Sequence, residues 1–489
     1  MVLAVLLVAQ TGQPASAPLD PLARLQEALA DPGGIETVLV VLQSTGDEDL
    51  RPLFEASCRS GAESTRSLAL AALAETCKER AADVLKDRLA NDPSKAVRLK
   101  AAIALFGSDL LSADEMRGLL GSQHEELQCL AADALVRQGQ GRTVQPLLEK
   151  LAGSESQATA CSARLDLLAL GDKGQLDELQ RLVRDRGSDQ RVVLQVLSQI
   201  SDEKVLAAAP LAVEAADSDW PREVKLRAYW AVAAVCPDAS GIIHRAIRRS
   251  DQIVMKVNLI RILASCPFPA EQLKDLAKDD DPPGLVARFE LARQAGAKAL
   301  DWAAGNAIQQ PHPVVVEYIL SRAGEDVEAA GQTARSYQAP LLNYIRSRKP
   351  SSQMSAEHYQ LAKAATVLAD LGGEGAIDGL REVLSGPYNT KVRAVAAGLL
   401  RSKNPAVCDL ALPLLESPYP ELSSDAALVL GRFGRAEAAE KLRQLARRSQ
   451  GAPQAMEVLA CWYLLKVSGG ARSAAEALAR QVEQPPSPG

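Results

Sequence analysis

The chain has 489 residues, more than one compact core usually holds, and only 3% of them are aromatic although 47% are apolar. That balance excludes a large aromatic core and favours many thin helix–helix interfaces built from Ala, Leu and Val. The net charge of −6, from 55 basic and 61 acidic residues, excludes the dominant basic surface that a nucleic-acid binder needs.

Residues 2–9 are an unbroken apolar run, too short to span a bilayer but suited to the hydrophobic stretch of a signal peptide. Ala15-Ser16-Ala17 has the small-x-small form of a cleavage site, although no Lys or Arg precedes the run and Pro18 would follow the cut. We therefore expect residues 1–17 to be a signal peptide and the protein to be exported, periplasmic or extracellular; without a functional leader it would be cytoplasmic. No other stretch approaches the length of a membrane span. Residues 18–49 read as a linker with N-terminal cap helices.

From about residue 50 a pattern recurs. Val97-Arg98-Leu-Lys-Ala101-Ala102-Ile103-Ala-Leu105 is followed 30 residues on by Leu127-Gln-Cys-Leu-Ala131-Ala132-Asp-Ala-Leu135. Val224-Lys225-Leu-Arg-Ala228-Tyr229-Trp230 has the same form. So do Val392-Arg393-Ala-Val-Ala396-Ala397 and, 30 residues further, Leu422-Ser-Ser-Asp-Ala426-Ala427. Leu361-Ala-Lys-Ala364-Ala365 matches more loosely. Each motif runs into a Gly-containing break, such as Gly139, Gly372-Gly373 or Gly434, and then a second amphipathic stretch. Apolar residues recur at i, i+3, i+4 and i+7, which predicts helix, short turn, helix, short turn. One such hairpin cannot bury its apolar stripe alone, so hairpins stack and the paired alanines sit where backbones approach closely.

This unit resembles the HEAT repeat, in the short form of about 30 residues first described in phycobilisome lyases. The resemblance implies an all-α solenoid, a superhelix of stacked antiparallel helical hairpins, whose concave face is lined by the Ala-Ala helices. It also implies a structural ladder in which Arg98, Lys225 and Arg393 pair with turn acids such as Asp92 and Asp219. The expected organisation is an N-terminal repeat arm at 50–300, irregular repeats or a hinge at 301–358, a C-terminal arm at 359–482 and a flexible tail at 483–489. Trp230 and Trp462 align with Ile103 and are expected to pack in the core.

The eight cysteines include no C-x-x-C pair, which removes the usual zinc and thioredoxin-like readings. Cys236 and Cys266 hold equivalent places in adjacent repeats, too far apart for a disulfide, and read as small buried residues. The four histidines, at 124, 244, 312 and 358, form no metal motif. Deoxyhypusine hydroxylase, an iron enzyme of HEAT-like repeats, needs several His-Glu pairs, and this chain has one, His124-Glu125. No nucleophile elbow or phosphate-binding loop is present. Basic clusters at Arg181/Arg184/Arg186, Arg245/Arg248/Arg249 and Arg443/Arg447/Arg448 lie towards helix C-terminal ends, where cations suit the dipole.

These observations predict a non-enzyme with no cofactor and no metal site: a scaffold that binds one or more proteins, not nucleic acid, on the concave face. The alternatives are a HEAT-like chromophore lyase or isomerase and an adaptor subunit of a larger complex. The family style points to a bacterial source. Trp220 on a turn, and Trp302 and Tyr318 in the irregular stretch, are the candidate aromatic contacts for a partner.

Overall fold

The computed structural model describes residues 19–483 apart from 32, 186, 310–311, 330–333, 350–355 and 448–453, and within helices it leaves aside the side chains of 302, 308 and 309. The expected leader at 1–17 and the tail beyond Glu483 lie outside the described residues, as do Arg186 and Arg448. Among the described residues there are twenty-nine α-helices, six 3-10 segments and no strand. None of these helices is long and apolar enough to cross a membrane.

The helix Lys95–Gly107 shows how a repeat folds. Ser94 caps its N-terminus, accepting the Val97 N–H at 3.4 Å. Val97, Ala101, Ala102 and Leu105 recur at helical spacing, and all four are fully buried. The next helix, Ala113–Leu119, opens with a capping box: Ser112 receives the Glu115 N–H at 3.3 Å, and Glu115 receives the Ser112 N–H at 2.8 Å. The following helix, Glu125–Arg137, ends at Gly139 with φ +78°. There the Gln140 N–H returns to the Leu135 carbonyl at 2.8 Å and the Gly139 N–H to Val136 at 2.9 Å, a left-handed stop that glycine enters without strain.

The chain forms two compact units. The larger runs Cys77–Asp425. In it the motif-bearing helices stack in sequence order: Lys95–Gly107, Glu125–Arg137, Gln157–Ala169, Gln190–Glu203, Arg222–Val235, Ile253–Ser265, Pro282–Ala295, Pro313–Glu328, Ala356–Leu371 and Thr390–Leu399. Each packs on the one before and the one after, and the intervening helices form a second row. The stretch 301–358, expected as irregular or hinged, lies inside this unit, and its helix Pro313–Glu328 packs on Pro282–Ala295 and Ala356–Leu371.

The smaller unit gathers both ends of the chain: the described residues up to Thr76 and those from Ala426 onward. Helices Pro21–Ala30 and Gly34–Gln43 pack on Ala455–Val467, and Arg51–Ser57 packs on Ala471–Glu483. Lys466 Nζ reaches Asp47 Oδ2 at 2.7 Å, and Trp462 Nε1 donates to the same oxygen at 3.3 Å. Gln481 donates to the Gln26 carbonyl at 2.8 Å, and Arg59 pairs with Glu483. The structure thus divides the chain elsewhere than the expected arms. Periodicity identifies neighbours along the sequence and carries no information about helices more than 400 residues apart, as Asp47 and Lys466 are.

Candidate functional site

In the larger unit several of the stacked first helices keep exposed residues on one side among the described residues. On Lys95–Gly107 the outward positions are Ala96, Lys100, Ile103 and Gly107, three or four residues apart. Ile103 is 54% exposed and so is not the core residue expected from the repeat alignment. Its equivalent Trp230 is half-buried above the exposed Arg227. Ile253 and Val254 are exposed at the start of Ile253–Ser265, and Tyr359 is 52% exposed near the start of Ala356–Leu371. The outward side of this row therefore carries large apolar groups among polar ones. In the smaller unit the third aligned residue, Trp462, is fully buried as expected, because the segment around Asp47 covers it.

Between three of these helices lies a cluster of carboxylates. Glu125–Arg137 supplies Asp133, Gln157–Ala169 supplies Asp166 and Gln190–Glu203 supplies Glu203. One oxygen from each lies within 4.8 Å of the others. All three sit in the last turns of their helices, where the dipole disfavours negative charge. Asp166 is fully buried; its Oδ1 accepts from Gln199 Nε2 at 3.3 Å, and its Oδ2 has no hydrogen-bond partner. Asp133 Oδ2 is held by Arg137 at 2.9 Å, while its buried Oδ1 is also without a partner. Gln199 bridges to Glu203 at 3.4 Å. Burial, and then the charges of Asp133 and Glu203, push the Asp166 carboxyl well above its ordinary range. Burial and Asp133 lift Glu203 to about 8. Burial, followed by the same carboxylates, also raises the Cys129 thiol, which donates to the Thr159 carbonyl at 3.8 Å. The three acids are 33 and 37 residues apart and fit no motif, so the sequence does not announce them. The signal that might be sought is an acid in the last turns of three successive motif helices.

Two of the aromatic contacts expected from sequence, Trp220 and Tyr318, lie elsewhere than on the surface. Trp220 is 7% exposed and donates its indole N–H to the Val183 carbonyl at 2.8 Å, so the turn that bears it folds inward. Tyr318, also 7% exposed, donates to Glu290 Oε1 at 2.6 Å. Neither is placed to touch a partner. Trp302 is on the helix Ala297–Gln309, and its side chain lies outside the described ones. Among the described side chains the most exposed aromatic is Phe268, 93% exposed, in the left-handed region at φ +56° between Pro267 and Pro269. Tyr388 and Tyr419 stack with centroids 3.8 Å apart.

At Arg98 the expected partner residue is engaged through its backbone. Arg98 donates to the backbone carbonyl of Asp92 and lies 2.6 Å from His124 Nε2. The Asp92 carboxylate is buried, accepts the Ser94 N–H at 2.9 Å and lies 3.8 Å from Arg88. Arg288 likewise donates to the Asp279 carbonyl at 2.7 Å, and Arg66 to the Ser60 and Gly61 carbonyls at 3.0 and 2.9 Å. These arginines satisfy main-chain carbonyls left open in the turn before their helix. Lys225 and Arg393 are half-buried and Asp219 is exposed. Arg393 acts electrostatically on Asp425, whose burial raises its carboxyl to about 7. Cys236 and Cys266 are not bridged, and donate to the carbonyls of Ala209 at 3.8 Å and Ile262 at 3.5 Å. His124 stands at the N-cap of Glu125–Arg137, and Gly372-Gly373 forms a turn.

A family model for HEAT repeats matches residues 377–460. No curated protein sequence matches the chain. Among solved structures, UNC-45 from Drosophila melanogaster aligns over 94% of this chain and 80% of its own, at 13% identity and a TM-score of 0.30. The karyopherin Kap121p bound to the SUMO protease Ulp1p aligns over 95% of this chain and 56% of its own, at 13% identity and a TM-score of 0.34. Importin beta aligns over 89% and 68%, at 12% identity and a TM-score of 0.33. The chain thus spans little more than half of the karyopherin, and likeness this weak says nothing of what it binds. The helical hairpins and their stacking make the chain an all-α solenoid, and residues 377–460 match the HEAT-repeat model.

Proposed function

We propose that this chain is a non-catalytic scaffold that binds a protein partner on the uncovered side of its first-helix row. The observation that carries the reading is the apolar surface left there: Ile103, Val254 and Tyr359, each at least 38% exposed, with the half-buried Trp230. Large apolar groups exposed at intervals along one row of helices can serve as anchors at an interface. The stack suits this role because each hairpin touches its neighbours and presents a fresh set of outward side chains.

The test is site-specific photo-crosslinking in the native compartment. A benzophenone side chain is placed at Ile103 or Tyr359, and at Gln145 on a second-row helix as a control. The expected result is one and the same protein crosslinked from positions 103 and 359 and not from 145, with recovery lost in the Ile103→Asp/Tyr359→Asp variant at unchanged melting temperature. Equal labelling at all three positions, or undiminished recovery with the double variant, overturns the proposal.

A further inference from the structure

We propose that Asp133, Asp166 and Glu203 form a site for a hard divalent cation of the size of Ca2+, which ties three successive layers together. Acidic residues alone would not carry this. The independent observation is Asp166 Oδ2: it belongs to a cluster side chain with no solvent exposure, and it has no hydrogen-bond donor. Asp133 Oδ1 is a second buried oxygen in the same condition. A buried carboxylate oxygen without a donor is costly unless a proton or a metal ion satisfies it.

Geometry and charge favour the ion. Ca2+ binds oxygens at about 2.3–2.6 Å, so ligands on opposite sides of it lie about 5 Å apart; around Mg2+ they lie about 4 Å apart. Oxygens no more than 4.8 Å apart lie within the reach of such an ion. Three carboxylates face one cation, Arg137, so the ionised cluster carries an excess of two negative charges, which a divalent ion neutralises. Gln199, already bridging Asp166 and Glu203, offers its amide oxygen as a further ligand after rotation of the amide. Because each acid comes from a different hairpin, the ion acts as a crosslink between neighbours that otherwise meet only through packing.

The full-length chain is stripped with a chelator, exchanged into metal-free buffer at about pH 7.5 and titrated with CaCl2, MgCl2, MnCl2 and ZnCl2 in turn, by calorimetry and by thermal unfolding. The expected result is saturable binding of one Ca2+ per chain, tighter than Mg2+ or Zn2+, with a rise of several degrees in the melting temperature. Asp166→Asn and Glu203→Gln are each expected to weaken Ca2+ binding at least tenfold. Both are near-isosteric and remove repulsion, so in chelator they melt no lower than the wild type, which separates a lost site from a lost fold. No saturable binding up to about 5 mM, beyond the weakest protein Ca2+ sites, overturns the proposal and leaves the cluster holding protons. So does tighter binding of Zn2+ or Mg2+ than of Ca2+, or Ca2+ binding that Asp166→Asn leaves unchanged.

Discussion

Arg293 grips Asp326 through two bonds, Nε to Oδ2 at 3.0 Å and Nη2 to Oδ1 at 2.6 Å, and Tyr337 donates to the same carboxylate at 2.6 Å. Alongside, Arg322 and Tyr318 hold the fully buried Glu290. Together these bonds fasten the segment that lacks a clear repeat. Burial alone would raise the Asp326 carboxyl, but Arg293 and Tyr337 outweigh it and hold the group below its ordinary range. Its contribution is therefore present above the unfolded carboxylate range and is lost as pH falls through the lowered folded value. Asp326→Ala leaves Arg293 and Tyr337 without this acceptor and is expected to cost about 3 kcal/mol, read from the urea midpoint.

The carboxylate cluster titrates in the opposite sense. Glu203, raised to about 8, and Asp166, raised well above its ordinary range by burial, keep protons in the folded chain that the unfolded chain releases near pH 4. Facing them are Asp133, Arg137, Gln199 and the Cys129 thiol. In chelator, stability should fall as pH rises from about 4, with the Glu203 contribution lost by about 8. Asp425, raised to about 7, adds to the same trend. Combining Asp166→Asn with Glu203→Gln should flatten most of the slope, measured as urea midpoint against pH.

Close approach of the first helices is tested at Gly398. An added Cβ there would lie 2.3 Å from the Ala362 carbonyl oxygen and 2.9 Å from Ala365 Cβ, and Thr366 already bonds the Gly398 carbonyl at 2.8 Å. Gly398→Ala should destabilise by about 2 kcal/mol, since backbone must move. Gly305, within Ala297–Gln309 and with nothing within 4 Å of an added Cβ, is the control: Gly305→Ala should stabilise by up to about 1 kcal/mol. Thermal unfolding distinguishes the two signs.

Asp47 links the two chain ends. Asp47→Ala removes the acceptor of the buried Trp462 indole and of Lys466, and also the cap on Asp49. The expected cost is about 2 kcal/mol. Faster amide exchange should appear in both Pro21–Gln43 and Ala455–Glu483; exchange confined to one of these segments would contradict the described packing.

Phe268 holds a left-handed conformation that aromatic residues rarely adopt, and it is almost wholly in solvent. Phe268→Gly should raise stability by about 1 kcal/mol, because strain is relieved and no packing is lost. A fall in the melting temperature would show that the ring is engaged within the chain.

The periodic alanines, the i, i+3, i+4 apolar spacing and the terminating glycines fixed the hairpin and its stacking in advance, because these are properties of one helix and its nearest neighbours. Ala101, Ala102 and Gly139 lie where that reasoning puts them. The sequence had no means of showing which aromatics are exposed. Trp220 turns inward to a carbonyl of the preceding hairpin, and Ile103, identical in pattern to the buried Trp462, stays in solvent because no described segment covers its helix there. The carboxylate cluster and the pairing of the chain ends also belong to tertiary structure alone. Asp133, Asp166 and Glu203 converge across three layers, and Asp47 meets Trp462 across almost the whole chain. Local periodicity sets the spacing of turns, but contacts between side chains far apart in sequence come from packing that no local pattern encodes.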